Sequence, residues 1–368
     1  MKHSILPPSS ASRRMQCPGS RELESLYPGV DSPHAREGTA AHWVALRALT
    51  NNVVTVGDKT PEGEVVTVEM IEGAALYADF LESLDPEKTA YRAFEIKLLM
   101  SDIHAEAWGT CDCLLTNFST KTLHILDYKF GHRFISAFEN WQMIYYAIGA
   151  VNIFPEKITN ITCHIVQPRY YGAEGKIRSW SLTIEQLDMY KDKLRTAEKL
   201  AMNEIARLKT GDECAFCSAR HACTALGDTT ALIADFSASA TTHELTPEKL
   251  GYELQTLFKA QKLLNARITG LSEEAENLLM RGKRVPGFLL QPGRSNQVWN
   301  QPISEVIEMG KLLGVDLAKP QEAVTPKQAI RANIPEEIVS KYSKIVSGEM
   351  KLTEDRKICL NYADIKGE

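Results

Sequence analysis

The spacing of apolar residues changes several times along the 368-residue chain, and each change marks an element. Pro7-Pro8-Ser9-Ser10-Ala11-Ser12 reads as a cap leading into a short helix, which Cys17-Pro18-Gly19 interrupts. Residues 37–48, with Trp43, Val44, Leu46 and Ala48 as apolar members, predict a helix, and residues 65–84 predict another. The texture then turns strand-like over 90–100, 106–116 and 122–129. The third stretch is almost continuously apolar through Leu123, Ile125 and Leu126, as a central strand should be. Residues 139–151 read as helix, 158–167 and 176–182 as strands, and 184–208 as a long helix. The order α, α, β, β, β, α, β, β, α predicts an α/β sandwich core without strict βαβ alternation.

Beyond the core, residues 227–242 are small, polar and loop-like. Residues 248–280 form a long helical pattern with Leu257, Leu264, Ile268, Leu271, Ala275 and Leu278 on one face. Such a stripe serves a core or an oligomer face. After Val285-Pro286-Gly287-Phe288, short helices alternate with loops, and Arg281, Lys283, Arg284 and Arg294 flank that turn as candidate phosphate contacts or as plain solvated charge. The expected division is a domain over 1–230 and a mainly helical accessory domain over 231–368.

Composition narrows the class. Apolar residues are 44% and charged residues 24%, ordinary for a folded protein, so disorder over most of the length is excluded. A net charge of −5 argues against a protein coated in nucleic acid, though not against a local DNA groove. No run is apolar and long enough for a bilayer: the best, 141–154, is short and contains Gln142 and Asn152. Pro7, Pro8, Arg13 and Arg14 break any secretory apolar region, so a cytoplasmic protein is expected. Its eight cysteines are then reduced, and clustered ones become metal candidates.

Candidate chemistry gathers at the end of the third strand. Residues two apart share a strand face, so Asp127 and Lys129 project together, away from Leu126 and Tyr128. A carboxylate there can hold a hard divalent cation, and the ammonium can orient water and offset charge on a phosphate. If the preceding strand pairs with this one, Asp112 faces the same way, and Cys111 and Cys113 point to the opposite, packed face as small hydrophobes. Gly38 and His42 lie four apart on one helix face, the glycine allowing close backbone approach and the histidine presenting an imidazole. Gln142 and Tyr146 are four apart on the helix after Asp127-Tyr128-Lys129, within reach of the lysine or of a DNA backbone. Each pair alone has a plainer reading: a solvated ion pair, a structural histidine, a boundary glutamine beside a packed tyrosine.

Cys214, Cys217 and Cys223 stand as C-x2-C-x5-C. Three thiolates need a fourth ligand to close a zinc site or an iron–sulfur cluster, and both His221 and Cys17 qualify. The spacing points to a metal without saying which.

Taken in order, Gly38/His42, Gly109/Asp112, Asp127-Tyr128-Lys129 and Gln142/Tyr146 resemble the RecB-like branch of the PD-(D/E)XK nuclease superfamily. With Cys17, Cys214, Cys217 and Cys223 the pattern is similar to its iron–sulfur sub-branch, which includes CRISPR-adaptation exonucleases and AddB-type helicase–nucleases. Residues 9–20 and 287–299 look like a phage and prophage family of the same branch. The resemblance covers residues 1 to about 230 and is thin beyond. It implies a restriction-endonuclease-like core, a mixed central sheet flanked by helices, with a mainly helical C-terminal extension. It implies that His42, Asp112, Asp127 and the Tyr128 carbonyl hold Mg2+ or Mn2+, that Lys129 is catalytic, and that Gln142 and Tyr146 support it and the scissile strand. It implies a 4Fe–4S cluster on Cys17, Cys214, Cys217 and Cys223, joining segments roughly 200 positions apart and so restricting the unfolded chain. Many relatives carry Glu where Asp127 stands; both occur.

The function so implied is a metal-dependent deoxyribonuclease, an exonuclease on linear DNA ends, single- or double-stranded, serving recombination or DNA processing in the cytoplasm of a bacterial host. No G-x4-G-K-[ST] loop is present, so unwinding would need a helicase or recombination partner. No membrane partner is expected, and a homo-oligomer is compatible. Two rivals share these residues: a catalytically silent nuclease fold binding DNA ends or a partner, and a zinc-stabilised interaction protein.

Overall fold

The computed structural model describes residues 4–29, 32–154, 157–237 and 246–290. Contacts divide the chain into two compact units, Met1–Thr246 with Thr256–Asn277, and Pro247–Gln255 with Leu278–Glu368. In the second unit the described residues are the ends of one helix and the segment 281–290. Arg294 and everything after residue 290 lie outside the described residues.

The first unit is a mixed α/β fold around one five-stranded sheet. Its strands are β1 (Tyr91–Leu99), β2 (Trp108–Asn117), β3 (Thr122–Tyr128), β4 (Asn160–Val166) and β5 (Ile177–Thr183), adjacent in that order. β1/β2, β2/β3 and β4/β5 are antiparallel, and β3/β4 is parallel. The central β3 is buried on both faces, which explains its unbroken apolar run.

Helices cover both faces. On one lie α3 (Pro33–Leu49) and α4 (Val68–Leu84), packing Val44, Met70, Tyr77 and Leu81 against Cys113, Leu115, Leu126 and Tyr128. On the other lie α5 (Trp141–Ile153) and α6 (Ile184–Ala201), packing Ile144, Ile148, Leu187 and Leu194 against Cys111, Leu114, Ile125 and Ile165. Caps set the starts of these helices. Ser32 accepts from Ala35 N–H before α3, Asn140 accepts from Gln142 and Met143 N–H before α5, and Thr183 with Gln186 forms a capping box before α6. The α3 cap, with Pro33 at its first position, starts that helix earlier than its apolar pattern indicates.

The N-terminal α1 (Ala11–Gln16) and α2 (Ser20–Leu26) are split at Cys17-Pro18-Gly19, as predicted. α1 is tied to α6 by the buried Arg14–Glu198 ion pair at 2.8 Å, and Tyr145 of α5 donates its hydroxyl to the same carboxylate. Burying that pair requires all three helices in place, which fixes where Cys17 sits.

Three expectations change. The long helix stops at Ala201 instead of running to 208, and Leu208 turns in to pack beside Cys214 and Cys223. Residues 227–242, read as loop, begin inside α7 (Thr224–Ser237). Fully buried Leu226 anchors this helix against Ala266 and Leu263 of α8 (Pro247–Met280), and that packing outweighs the weak helix propensity of Gly and Thr. Cys111 and Cys113 are both buried as small apolar groups, but in opposite cores rather than one. The reason is a kink. Glu95 of β1 has φ +47° and faces the Asp112 level of β2, and there both strands switch which face their side chains serve.

Among the described residues, no helix is long and apolar enough to cross a membrane.

Candidate active site and cysteine cavity

The β3 end carries a linked set of polar groups. Asp127, 1% exposed, pairs through Oδ2 with Lys129 Nζ at 2.9 Å. Gln142 of α5 joins them: its Nε2 donates to Asp127 Oδ1 at 3.1 Å, and its Oε1 accepts from Lys129 Nζ at 3.1 Å. The same Nε2 lies 3.2 Å from the Tyr146 hydroxyl, one turn on. Apart from its ion pair, Asp127 Oδ2 has no hydrogen-bond partner, a buried carboxylate oxygen left with acceptor capacity.

Asp112 links this set to the other side of the sheet. β2 and β3 stop pairing after Cys113/Leu126, and Tyr128 N–H, freed from the ladder, donates to Asp112 Oδ2 at 2.8 Å. His42 Nδ1 of α3 lies 3.5 Å from that oxygen. Glu95 completes the group: one ligand atom each from His42, Glu95 and Asp112 lie within 4.8 Å of one another, and no other such trio of His, Cys, Asp or Glu occurs among the described residues. The three share a small cavity with Tyr77 and Tyr128.

Electrostatics couple the two halves. Burial, helped by the Asp112 charge, raises the Asp127 carboxyl, while Lys129 opposes that shift. Burial alone would lower Lys129, but Asp127 and Asp112 outweigh it and hold the ammonium above its ordinary value. Glu95 keeps a solvent-facing edge, yet burial and Asp112 push its carboxyl up. Lys129 therefore stays charged, and the crowded carboxylates favour a cation between them.

Glu95 was not legible as a site residue. In sequence it is one polar position in a strand, and only its left-handed backbone turns the carboxylate toward Asp112. A non-glycine residue so placed costs on the order of 1–3 kcal/mol, and such strain clusters at functional sites. Gly109 is needed for a different reason: a Cβ there would lie 2.6 Å from the Pro8 ring and 3.2 Å from Tyr146. Gly38 needs no such room, since nothing lies within 4 Å of where its Cβ would be. The close backbone approach expected there is absent.

The loop after Lys129 is clamped from below. Gln167, fully buried, donates from Nε2 to the carbonyls of Gly131 at 2.6 Å and Arg133 at 2.5 Å, and accepts from Arg178 Nη2 at 2.5 Å. Arg178 in turn donates to Ile135 and Gly175 carbonyls. Above the clamp, the rings of Phe134 and Tyr170 meet at 5.2 Å with the Arg178 guanidinium about 5 Å from each. Phe138, 64% exposed, stands on Trp180.

A second constellation lies where the N-terminal segment meets residues 207–226. Cys17, Cys214, Cys217 and Cys223 line one cavity. Gly19 N–H donates to Arg207 O and Lys209 N–H donates to Cys17 Sγ, joining the two segments. Gly19 must lack a Cβ, which would sit 2.7 Å from the Ala206 carbonyl oxygen. Burial raises the Cys17 and Cys214 thiols and pushes Cys217 up to about 12. Of the two candidates for the fourth position, Cys17 lines the cavity; His221 instead packs edge-on against Tyr27 at 4.8 Å.

This chain belongs to the family described as "Protein of unknown function (DUF2800)". That family's model matches residues 3–345, most of the length. Within this DUF2800 chain, the candidate ligand and catalytic residues fall into the two places just described. His42, Asp112, Asp127, Tyr128, Lys129, Gln142 and Tyr146 gather at the sheet end, and the four cysteines at the cavity.

The donor sets separate two kinds of metal chemistry. Glu95 and Asp112 offer hard oxygen ligands and His42 an imidazole nitrogen, a set suited to Mn2+ or Mg2+. The cysteine sulfurs are soft ligands. All four cysteines line the one cavity.

Proposed function

We infer that this protein is a metal-dependent DNA nuclease of RecB-like, PD-(D/E)XK type, acting as an exonuclease on DNA ends, with a structural iron–sulfur cluster on its four cysteines. The observation that carries the reading is the set Asp127, Lys129 and Gln142 at the end of β3, joined through Asp112 to His42. A surface ion pair has no need of a buried aspartate, a glutamine that contacts both partners, and a histidine–carboxylate group alongside.

A divalent ion held by His42, Asp112, Asp127 and the Tyr128 carbonyl, with Glu95 at its edge, would polarise the scissile phosphate and lower the pKa of a bound water. Lys129, kept protonated, offsets charge developing on the phosphate. Gln142 fixes the lysine against Asp127, and Tyr146 limits the rotamers of Gln142. The clamped loop after Lys129 exposes Phe138 and Phe134, the latter under the Arg178 guanidinium, aromatic faces with positive charge nearby that suit an unpaired strand. In the cysteine cavity, thiols held protonated by burial become thiolates only when a cationic core replaces their protons, which couples cluster binding to closure of the fold.

The test is digestion of end-labelled linear DNA, single- and double-stranded, with Mg2+ or Mn2+, against Asp127→Asn and Lys129→Ala prepared identically. Metal-dependent loss of label, absent in both variants, is expected. If cluster-replete wild type binds these DNAs but releases no label on any of them, the chain is a binding module and the nuclease reading fails.

A further inference from the structure

Eight buried side-chain nitrogens and oxygens among the described residues lack a hydrogen-bond partner, and three of the eight meet at one place. Three belong to residues lining the cysteine cavity: Gln16 Nε2, Ser20 Oγ and Arg220 Nε. All three are donors. A buried donor without an acceptor costs on the order of 1–3 kcal/mol, so three around one cavity are hard to explain as packing accidents.

The surroundings are built to hold these donors in place. Gln16 Oε1 accepts from Glu213 N–H at 3.2 Å, which fixes the amide and leaves its NH2 unmatched. Gly211 makes room for that amide, since a Cβ there would lie 2.4–2.6 Å from it. Arg220 is fixed through its other nitrogens, to the Ala215 carbonyl at 2.9 Å and to Glu273, leaving Nε unmatched. Gly270 of α8 makes room for Arg220, whose Cγ would lie 2.5 Å from a Cβ there. Ser20 is 3% exposed, at the start of α2 and three residues after Cys17. Two glycines and two anchored side chains thus hold unmatched donors on residues that line the same cavity as the four cysteines.

Resting on the cluster reading above, we propose that Gln16, Ser20 and Arg220 donate hydrogen bonds to the sulfur atoms of an iron–sulfur cluster held by Cys17, Cys214, Cys217 and Cys223, and thereby set its reduction potential and lifetime. A cluster offers bridging sulfides as well as thiolates, hence acceptors for several donors at once. A lone zinc ion offers only its four thiolates. Donors at sulfur stabilise the added electron, so they raise the potential.

The experiment uses the full chain purified anaerobically, with iron and acid-labile sulfide assayed first. Wild type is then compared with Ser20→Ala and Gln16→Met by potentiometric titration and by the rate of iron loss to a chelator. Both variants are expected to titrate at a more negative midpoint and to lose iron about fivefold faster per donor removed. Ser20→Ala carries a second sign. In chain stripped of iron it removes an unmatched hydroxyl, so thermal stability should hold or rise, while in the loaded chain it should fall. Unchanged midpoints and iron-loss rates in a wild type that holds iron and sulfide would overturn the donor assignment alone. A wild type holding stoichiometric zinc and no sulfide would overturn the cluster reading and this assignment with it.

Discussion

The sheet-end site and the cysteine cavity are solved in opposite ways. At the sheet end, charges satisfy one another within the protein: Lys129 with Asp127, Gln142 with both, Tyr128 N–H with Asp112. Around the cysteines three buried donors lack acceptors, and burial raises the Cys17, Cys214 and Cys217 thiols. On the function proposed above, the first arrangement would fold before a metal arrives, and the second would be completed by one.

That contrast can be broken experimentally, and the largest effect should be at the sheet end. Asp127→Asn keeps the shape and the Gln142 contact but removes the charge opposite Lys129. DNA cleavage should fall by at least about 100-fold, while iron content and the thermal midpoint of the loaded protein move little. A parallel loss of iron would show that the two regions are not separate.

Next in size is removal of each metal. A chelator that takes up Mg2+ and Mn2+ should stop turnover and leave the unfolding curve almost unshifted. Stripping the cysteine cavity, or Cys223→Ala, should lower stability by roughly 2–5 kcal/mol in denaturant titration, because the link between Cys17 and residues 214–223 goes with it. Equal stability losses from both treatments would erase the distinction.

Glycines sharpen the comparison further. Gly109→Ala pushes a methyl into the Pro8 ring and Tyr146, and Gly211→Ala pushes one into the Gln16 amide. Each should cost about 1–3 kcal/mol. The first should reduce turnover with normal iron retention, and the second should speed iron loss with near-normal initial turnover.

The smallest effect lies in the body of the sheet. His164 is buried against Phe80, with its ring nitrogens 3.0 Å from His124 and 2.7 Å from Ser179, and burial lowers its pKa to about 3. The unfolded chain takes up this proton near pH 6.5 and the folded chain does not, so the stability His164 contributes is present above that pH and lost as pH falls below it. Between pH 6.5 and 5.5 the loss should be about 1 kcal/mol in urea titrations. His164→Asn should flatten that slope.

The sequence by itself determined the order of elements from α3 to α6, because apolar spacing and capping residues act locally. It also determined that Asp127 and Lys129 share a face, since strand geometry alternates side chains by twos. The C-x2-C-x5-C spacing marks a metal candidate by itself, but leaves its fourth partner open between His221 and Cys17. Only the tertiary structure brings Cys17 to the cavity lined by the other three, through the buried Arg14–Glu198 pair and the Gly19 crossing that set α1 beside residues 207–223. It alone recruited Glu95, whose position depends on one left-handed residue that no periodicity encodes. It alone sent Cys111 and Cys113 to different cores and made a helix of residues 224–237, because a shared kink and a packing partner 40 residues downstream are long-range facts. The unmatched donors around the cysteines are of the same kind. Gln16, Ser20 and Arg220 are unremarked polar residues in the chain, and acquire a common role only where three segments close on one cavity.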